Sequence, residues 1–110
     1  PIELTYTIHS KLNLNASYSI LAIVQEALNN IIRHSDADRV QVKCLETKDR
    51  IFINVKDNGH NAKVESFGMG LGSIRERAEA LHGAAEFTDN DGFLVFVTLP
   101  KETTHATLTH

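Results

Sequence analysis

Apolar residues recur along this chain at two different spacings, and the switches between them mark its elements. Leu4, Tyr6 and Ile8 alternate with Thr5 and Thr7, the two-residue period of a strand. After a polar stretch containing Asn13 and Asn15 the period lengthens. Ile20, Val24, Ala27 and Ile31 recur at helical spacing, which predicts an amphipathic helix from Tyr18 to about Arg33, capped by Asn15 or Ser17. Val40, Val42 and Cys44 alternate again, as do Ile51, Ile53 and Val55 after the turn-like Lys48-Asp49-Arg50, so these two strands are expected to pair antiparallel. An irregular segment from Asn58 to Phe67 precedes a glycine-punctuated helix with Leu71, Ile74, Ala78 and Leu81 on its apolar side. Gly83 is expected to end that helix in the left-handed conformation. Ala85 and Phe87 begin another strand, Asp89-Asn90-Asp91-Gly92 reads as a hairpin turn, and Phe93, Val95, Val97 and Leu99 form a last strand that Pro100 stops. The order predicts an α/β two-layer sandwich: a mixed, largely antiparallel sheet with helices on one face.

Composition narrows the class. At 110 residues the chain holds one core, expected over residues 1–102, with a polar, disordered tail over 103–110. With 42% hydrophobic residues and a net charge of −3, it is neither intrinsically disordered nor a basic nucleic-acid module. One cysteine, Cys44, excludes an internal disulfide and reads as a buried core residue in a reducing compartment. No apolar run approaches the ~20 residues that span a bilayer. The start at Pro1 shows neither an initiator Met nor a signal-peptide pattern, so the chain reads as a domain of a longer parent.

Three places carry candidate chemistry. Glu26, Asn30 and His34 stand four apart in one row of the long helix, beside its apolar stripe, with Arg33 next to them. A carboxylate, an amide oxygen and a cation suit a magnesium–phosphate site, because magnesium takes one or two oxygens from protein and the rest from water and phosphate. Asp57-Asn58-Gly59 closes the third strand. Asp57 shares the parity of Ile51, Ile53 and Val55, so its carboxylate is expected to face the helix layer and accept a ligand's donor, such as an exocyclic amine. Gly68-Met69-Gly70-Leu71-Gly72-Ser73 opens the second helix, where free N–H groups and close backbone approach favour phosphate. Taken singly, these are equally a solvated helix face, a strand-to-loop turn and an ordinary helix start. Arg75 and Glu79 beyond them stand at ion-pair spacing.

Their order and context resemble the GHKL ATPase superfamily, and within it the catalytic domain of sensor histidine kinases of the nitrate-sensor/DesK type. Glu26 to Ser35 is similar to the family's N box, Asp57 to Asn61 to its first glycine box, Gly68 to Ala78 to its second, and Gly92 to Pro100 to its closing strand. The resemblance implies a Bergerat-type ATP-binding fold. It also implies a histidine kinase domain that passes the γ-phosphate of Mg-ATP to a phosphoacceptor histidine on a dimerisation domain, with a response regulator downstream. By the same resemblance Asn30 binds Mg²⁺ and Glu26 is the base or water-orienting carboxylate. Arg33 and His34 lie near the phosphates, Asp57 accepts from the adenine amine, Gly59 lines the base, and Gly68, Gly70, Leu71 and Gly72 line the phosphate side. None of the six histidines has the setting of a phosphoacceptor. The fragment is therefore expected to be monomeric, not to phosphorylate itself, and to belong on the cytoplasmic side, with any membrane anchor elsewhere in the parent. Two departures, Asn61 where a second glycine is usual and Phe93 where a threonine is common, motivate the competing reading of a degenerate interaction module without nucleotide turnover. A chaperone or topoisomerase fragment is the third reading; the short segment before the second glycine box and the Arg75-Glu76-Arg77 run argue against it.

Overall fold

A computed structural model of the chain describes residues 2–8, 11–34, 36–59, 69–89 and 92–101. The elements are β1 (Ile2–Tyr6), α1 (Leu14–His34), β2 (Val40–Glu46), β3 (Arg50–Asp57), α2 (Met69–Ala80), β4 (Ala84–Thr88) and β5 (Leu94–Pro100). They form a five-stranded sheet in the order β1-β2-β3-β5-β4. Only β1 runs parallel to its neighbour, β2; a parallel pair needs a crossover, and α1 supplies it. The other pairings are antiparallel. The mixed, largely antiparallel sheet with its helices on one face agrees with the sequence pattern.

Alternation decides which strand positions are buried. Val42 and Cys44 of β2, Ile51, Ile53 and Val55 of β3, and Val95, Val97 and Leu99 of β5 all turn to the helices. Their partners in the next residue positions form the open face, where the rings of Phe52 and Phe96 stack with centroids 5.9 Å apart and Arg50 Nε donates to Thr98 Oγ1 at 2.7 Å. Burial pushes the Cys44 thiol up, as expected of an inert core cysteine.

The long helix departs from its expected start. It begins at Leu14, a full turn before Tyr18, because Asn13 caps it rather than Asn15 or Ser17: Asn13 Oδ1 accepts the Ala16 amide at 2.7 Å. Its buried stripe runs through Ala16, Ile20, Ile23, Ala27 and Ile31. Ile23 replaces Val24 at the centre, and Val24 is left half-buried against an apolar groove of about 290 Å³ that Leu4, Tyr6, Leu12 and Leu21 also line. The rotation leaves Leu21 beside that groove exposed and brings Asn30 into the stripe itself, with no exposure, instead of beside it.

The end of α2 corrects a second expectation. Gly83 N–H donates to Ala78 O at 2.8 Å and His82 N–H to Glu79 O at 2.9 Å, the paired bonds of a Schellman cap. The left-handed residue of that cap is His82, at φ 63°, not Gly83. Gly83 is required by contact instead, because a Cβ there would run into the Thr98 carbonyl oxygen and sit 2.7 Å from the Leu99 side chain. His82→Gly is therefore expected to raise stability by roughly 0.5–1 kcal/mol, the left-handed penalty less the entropy glycine returns to the unfolded chain. Gly83→Ala is expected to lower it by more than that, and urea unfolding of the two variants checks both signs.

Candidate functional site

α1 packs on β3 and on α2, and β3 ends at Asp57. The alternation of β3 puts Asp57 where another core residue would stand, and it is 2% exposed. A carboxylate so placed needs donors. Oδ1 receives two: the Gly59 amide at 3.0 Å and the Phe93 amide at 2.8 Å. The Phe93 carbonyl in turn accepts from the Asp57 amide at 3.0 Å. Oδ2 is buried and accepts from nothing among the described residues. The expectation that Asp57 faces the helix layer agrees with this placement.

Asn30, also buried, presents the complementary case. Its Oδ1 accepts from Arg33 Nη2 at 2.9 Å, while its Nδ2 has no partner among the described residues. The structure thus joins Asn30 to Arg33, and it leaves Glu26 half-buried one turn away on the same helix. The His34 side chain, the Gly70 surroundings and Gly68 lie outside the described residues, as does Asn61. α2 begins at Met69, so Gly70, Leu71 and Gly72 belong to its first turn. Leu71 is buried in the core. Gly72 is exposed, with open space where a Cβ would stand. Arg75, set at ion-pair spacing from Glu79, instead places its guanidinium over the Phe87 ring at 5.1 Å.

Sequence reasoning missed several supports of this corner. Neither turn chemistry nor the glycine box foretells the work of Asn58: its Oδ1 accepts the amides of Asp38 and Arg39 at 3.1 Å each, and its Nδ2 donates to Asp38 Oδ1 at 2.7 Å. It ties the end of β3 to the connection between α1 and β2. Gly92 was read as a hairpin glycine, and Phe93 was judged by its side chain. The structure uses the left-handed backbone of Gly92, at φ 81°, and the main-chain amide and carbonyl of Phe93. The Phe93 ring is fully buried in the core.

The fold is an α/β sandwich with a buried carboxylate at the end of a central strand. The chain belongs to the histidine kinase-, DNA gyrase B- and HSP90-like ATPase family, which it matches over residues 16–103. It is 34% identical over 93 residues to the sensor histidine kinase YxjM of Bacillus subtilis, covering 83% of this chain and 23% of that protein. To the nitrate/nitrite sensor protein NarX of Escherichia coli it is 31% identical over 111 residues, covering 94% of this chain and 18% of that one. The chain therefore spans about a quarter or less of the length of these relatives. The histidine kinase domain of the blue-light activated kinase from Erythrobacter litoralis EL346 shares its fold with a TM-score of 0.77 at 18% identity, over 90% of this chain and 50% of that one. The ATP-binding domain of PrrB from Mycobacterium tuberculosis does so with a TM-score of 0.67 at 19% identity, over 90% and 79%.

The Asn58 clamp has a measurable signature. Its side-chain donor holds the Asp38 carboxyl below the usual range, opposed by desolvation and aided by the charge of Arg39. A carboxyl depressed in the folded state adds stability above its unfolded pKa, and that contribution is lost as pH falls through the folded value. Asn58→Ala is expected to raise the Asp38 pKa toward its ordinary value and to flatten the acid limb of the stability profile. Carboxyl-carbon NMR titration of Asp38 reads the first effect directly.

Proposed function

We propose that this chain is the ATP-binding catalytic domain of a two-component sensor histidine kinase. It would supply the γ-phosphate of Mg-ATP to a phosphoacceptor histidine on a dimerisation domain of its parent, and a response regulator would take the phosphoryl group onward. The observation that carries this reading is the buried carboxylate of Asp57, one oxygen saturated by main-chain donors and the other without a donor among the described residues. A buried acceptor left without a donor costs free energy that a ligand's exocyclic amine offsets. The adenine amine is that donor in this reading, with Gly59 against the base.

The phosphates would lie toward the start of α2, where a helix N-terminus favours anions and where the family resemblance sets Gly68, Gly70, Leu71 and Gly72. The open space beside Gly72 fits close backbone approach. Arg33 supplies positive charge from the last turn of α1, in which His34 is the next residue. Asn30 would offer Mg²⁺ the second lone pair of its Oδ1, whose first accepts from Arg33 Nη2. Among the described residues no three or more His, Cys, Asp or Glu side chains gather into a metal site. Magnesium takes one or two oxygens from protein and completes its shell with phosphate and water. When bound, the ion neutralises charge on the transferring phosphoryl group. Glu26, half-buried one turn before Asn30, orients or deprotonates the attacking group. The groove between β1 and α1, with Leu4, Tyr6 and Leu21 exposed around it, supports contact with the parent's dimerisation domain. No helix among the described residues is long and apolar enough to cross a membrane; a place on the cytoplasmic side of its parent is part of the same proposal.

Two substitutions test the reading. In Asp57→Asn the new amide oxygen keeps accepting both main-chain N–H groups, so stability falls by only roughly 1 kcal/mol. The amide nitrogen then meets the adenine donor, and ATP affinity is expected to fall roughly tenfold to a hundredfold by calorimetry. Unchanged affinity would reduce Asp57 to a turn residue. Asn30→Ala is expected to remove the magnesium-dependent part of ATP binding while leaving metal-free binding nearly intact. Equal loss in both conditions would place Asn30 in the fold and not at the metal.

A further inference from the structure

The corner at Gly92 and Phe93 meets Asp57 through both its main chain and its carboxylate. The Asp57 amide donates to the Phe93 carbonyl, and the Phe93 amide donates to Asp57 Oδ1. Gly92 lies closer still. A Cβ added to it would overlap the Asp57 carbonyl oxygen and come within 3.4 Å of Asp57 Oδ1. Its φ of 81° is also one that side-chain-bearing residues rarely adopt. Two independent constraints, space and backbone conformation, therefore demand glycine at this position.

A carboxylate has two equivalent oxygens and turns easily about its last bond, so a lone aspartate at a strand end offers its lone pairs in many directions. Here two amides on Oδ1 remove that freedom and single out Oδ2 as the acceptor left for a ligand. Pre-set orientation raises affinity for a ligand whose donor matches it, because the ordering cost is met in folding.

We infer that Gly92 is a positioning residue for nucleotide selectivity: its left-handed backbone sets the Phe93 amide on Asp57 Oδ1, so that Oδ2 alone faces the ligand and selects a base bearing an exocyclic amine. The inference rests on the nucleotide-binding reading of Asp57. It also gives the Phe93 departure a physical meaning, since the service is performed by the main chain and survives loss of the usual threonine side chain.

The test compares ATP with purine riboside triphosphate, which has hydrogen in place of the 6-amino group, on the full chain with magnesium present. The unsubstituted chain is expected to prefer ATP by roughly tenfold to a hundredfold, the worth of one charge-assisted hydrogen bond. Gly92→Ala is expected to bring the ratio toward one while still binding both nucleotides through their phosphates. Phe93→Leu, which keeps the amide, is expected to retain the preference. A Gly92→Ala chain that weakens both nucleotides equally, or keeps the preference, overturns the inference and leaves the site reading standing. An unsubstituted chain that binds neither nucleotide overturns the site reading and the inference with it. Should Gly92→Ala not fold, a through-hydrogen-bond NMR coupling between the Phe93 amide nitrogen and Asp57 Cγ of the unsubstituted chain decides: its presence supports the inference and its absence overturns it.

Discussion

The buried carboxylate of Asp57 sets the terms for its surroundings. It sits in the position of a core residue at the last step of β3 and must be matched there by donors. Matching it draws together parts distant in sequence: the amide of Gly59 just beyond the strand and that of Phe93, where the chain returns into β5. Gly92 has to be glycine so that the return can pass so close. Asn58, next along, fastens the same strand end to the start of β2. The sheet's edge at this corner is thus shaped by the needs of one charge.

Asp57 Oδ2 and Asn30 Nδ2 are among the buried polar atoms that lack partners among the described residues. Such groups weaken a folded state in the absence of a ligand and strengthen it in the ligand's presence, since whatever satisfies them binds only the native form. Stability and occupancy are therefore linked through the same few atoms. The rest of the core, from Ile23 and Ala27 of α1 to Val95 and Val97 of β5, is apolar and independent of that linkage.

Much of this was legible in the residues. The alternation of Ile51, Ile53, Val55 and Asp57 gave both the strand and the direction of the carboxylate, because period-two patterning fixes side as well as element. Leu71, Ile74, Ala78 and Leu81 marked the buried side of α2 correctly. The long helix was harder. Ile20, Leu21, Ile23 and Val24 offer more apolar residues than one stripe needs, so the sequence left its rotation open by one position, and packing against the sheet chose Ile23. That choice moved Asn30 from the border into the interior. The cap at Asn13, the left-handed turn at His82 and the service of the Phe93 main chain were illegible for a common reason. Each depends on backbone geometry that several residue types permit, and nothing in a side chain's identity announces it.

The clasp between Asp57 and Phe93 joins residues 36 apart in the chain, so everything between them is a closed loop tied at its base. Loop closure costs grow only as the logarithm of length, roughly 0.6 kcal/mol for each doubling. With the base pinned by main-chain bonds, the register of β3 on β5 is indifferent to how many residues lie within. The stretch from Gly59 to Met69 is therefore a place where evolution can lengthen, shorten or rewrite the chain without disturbing the sheet. One scaffold can then serve chains whose connections between β3 and α2 differ in length.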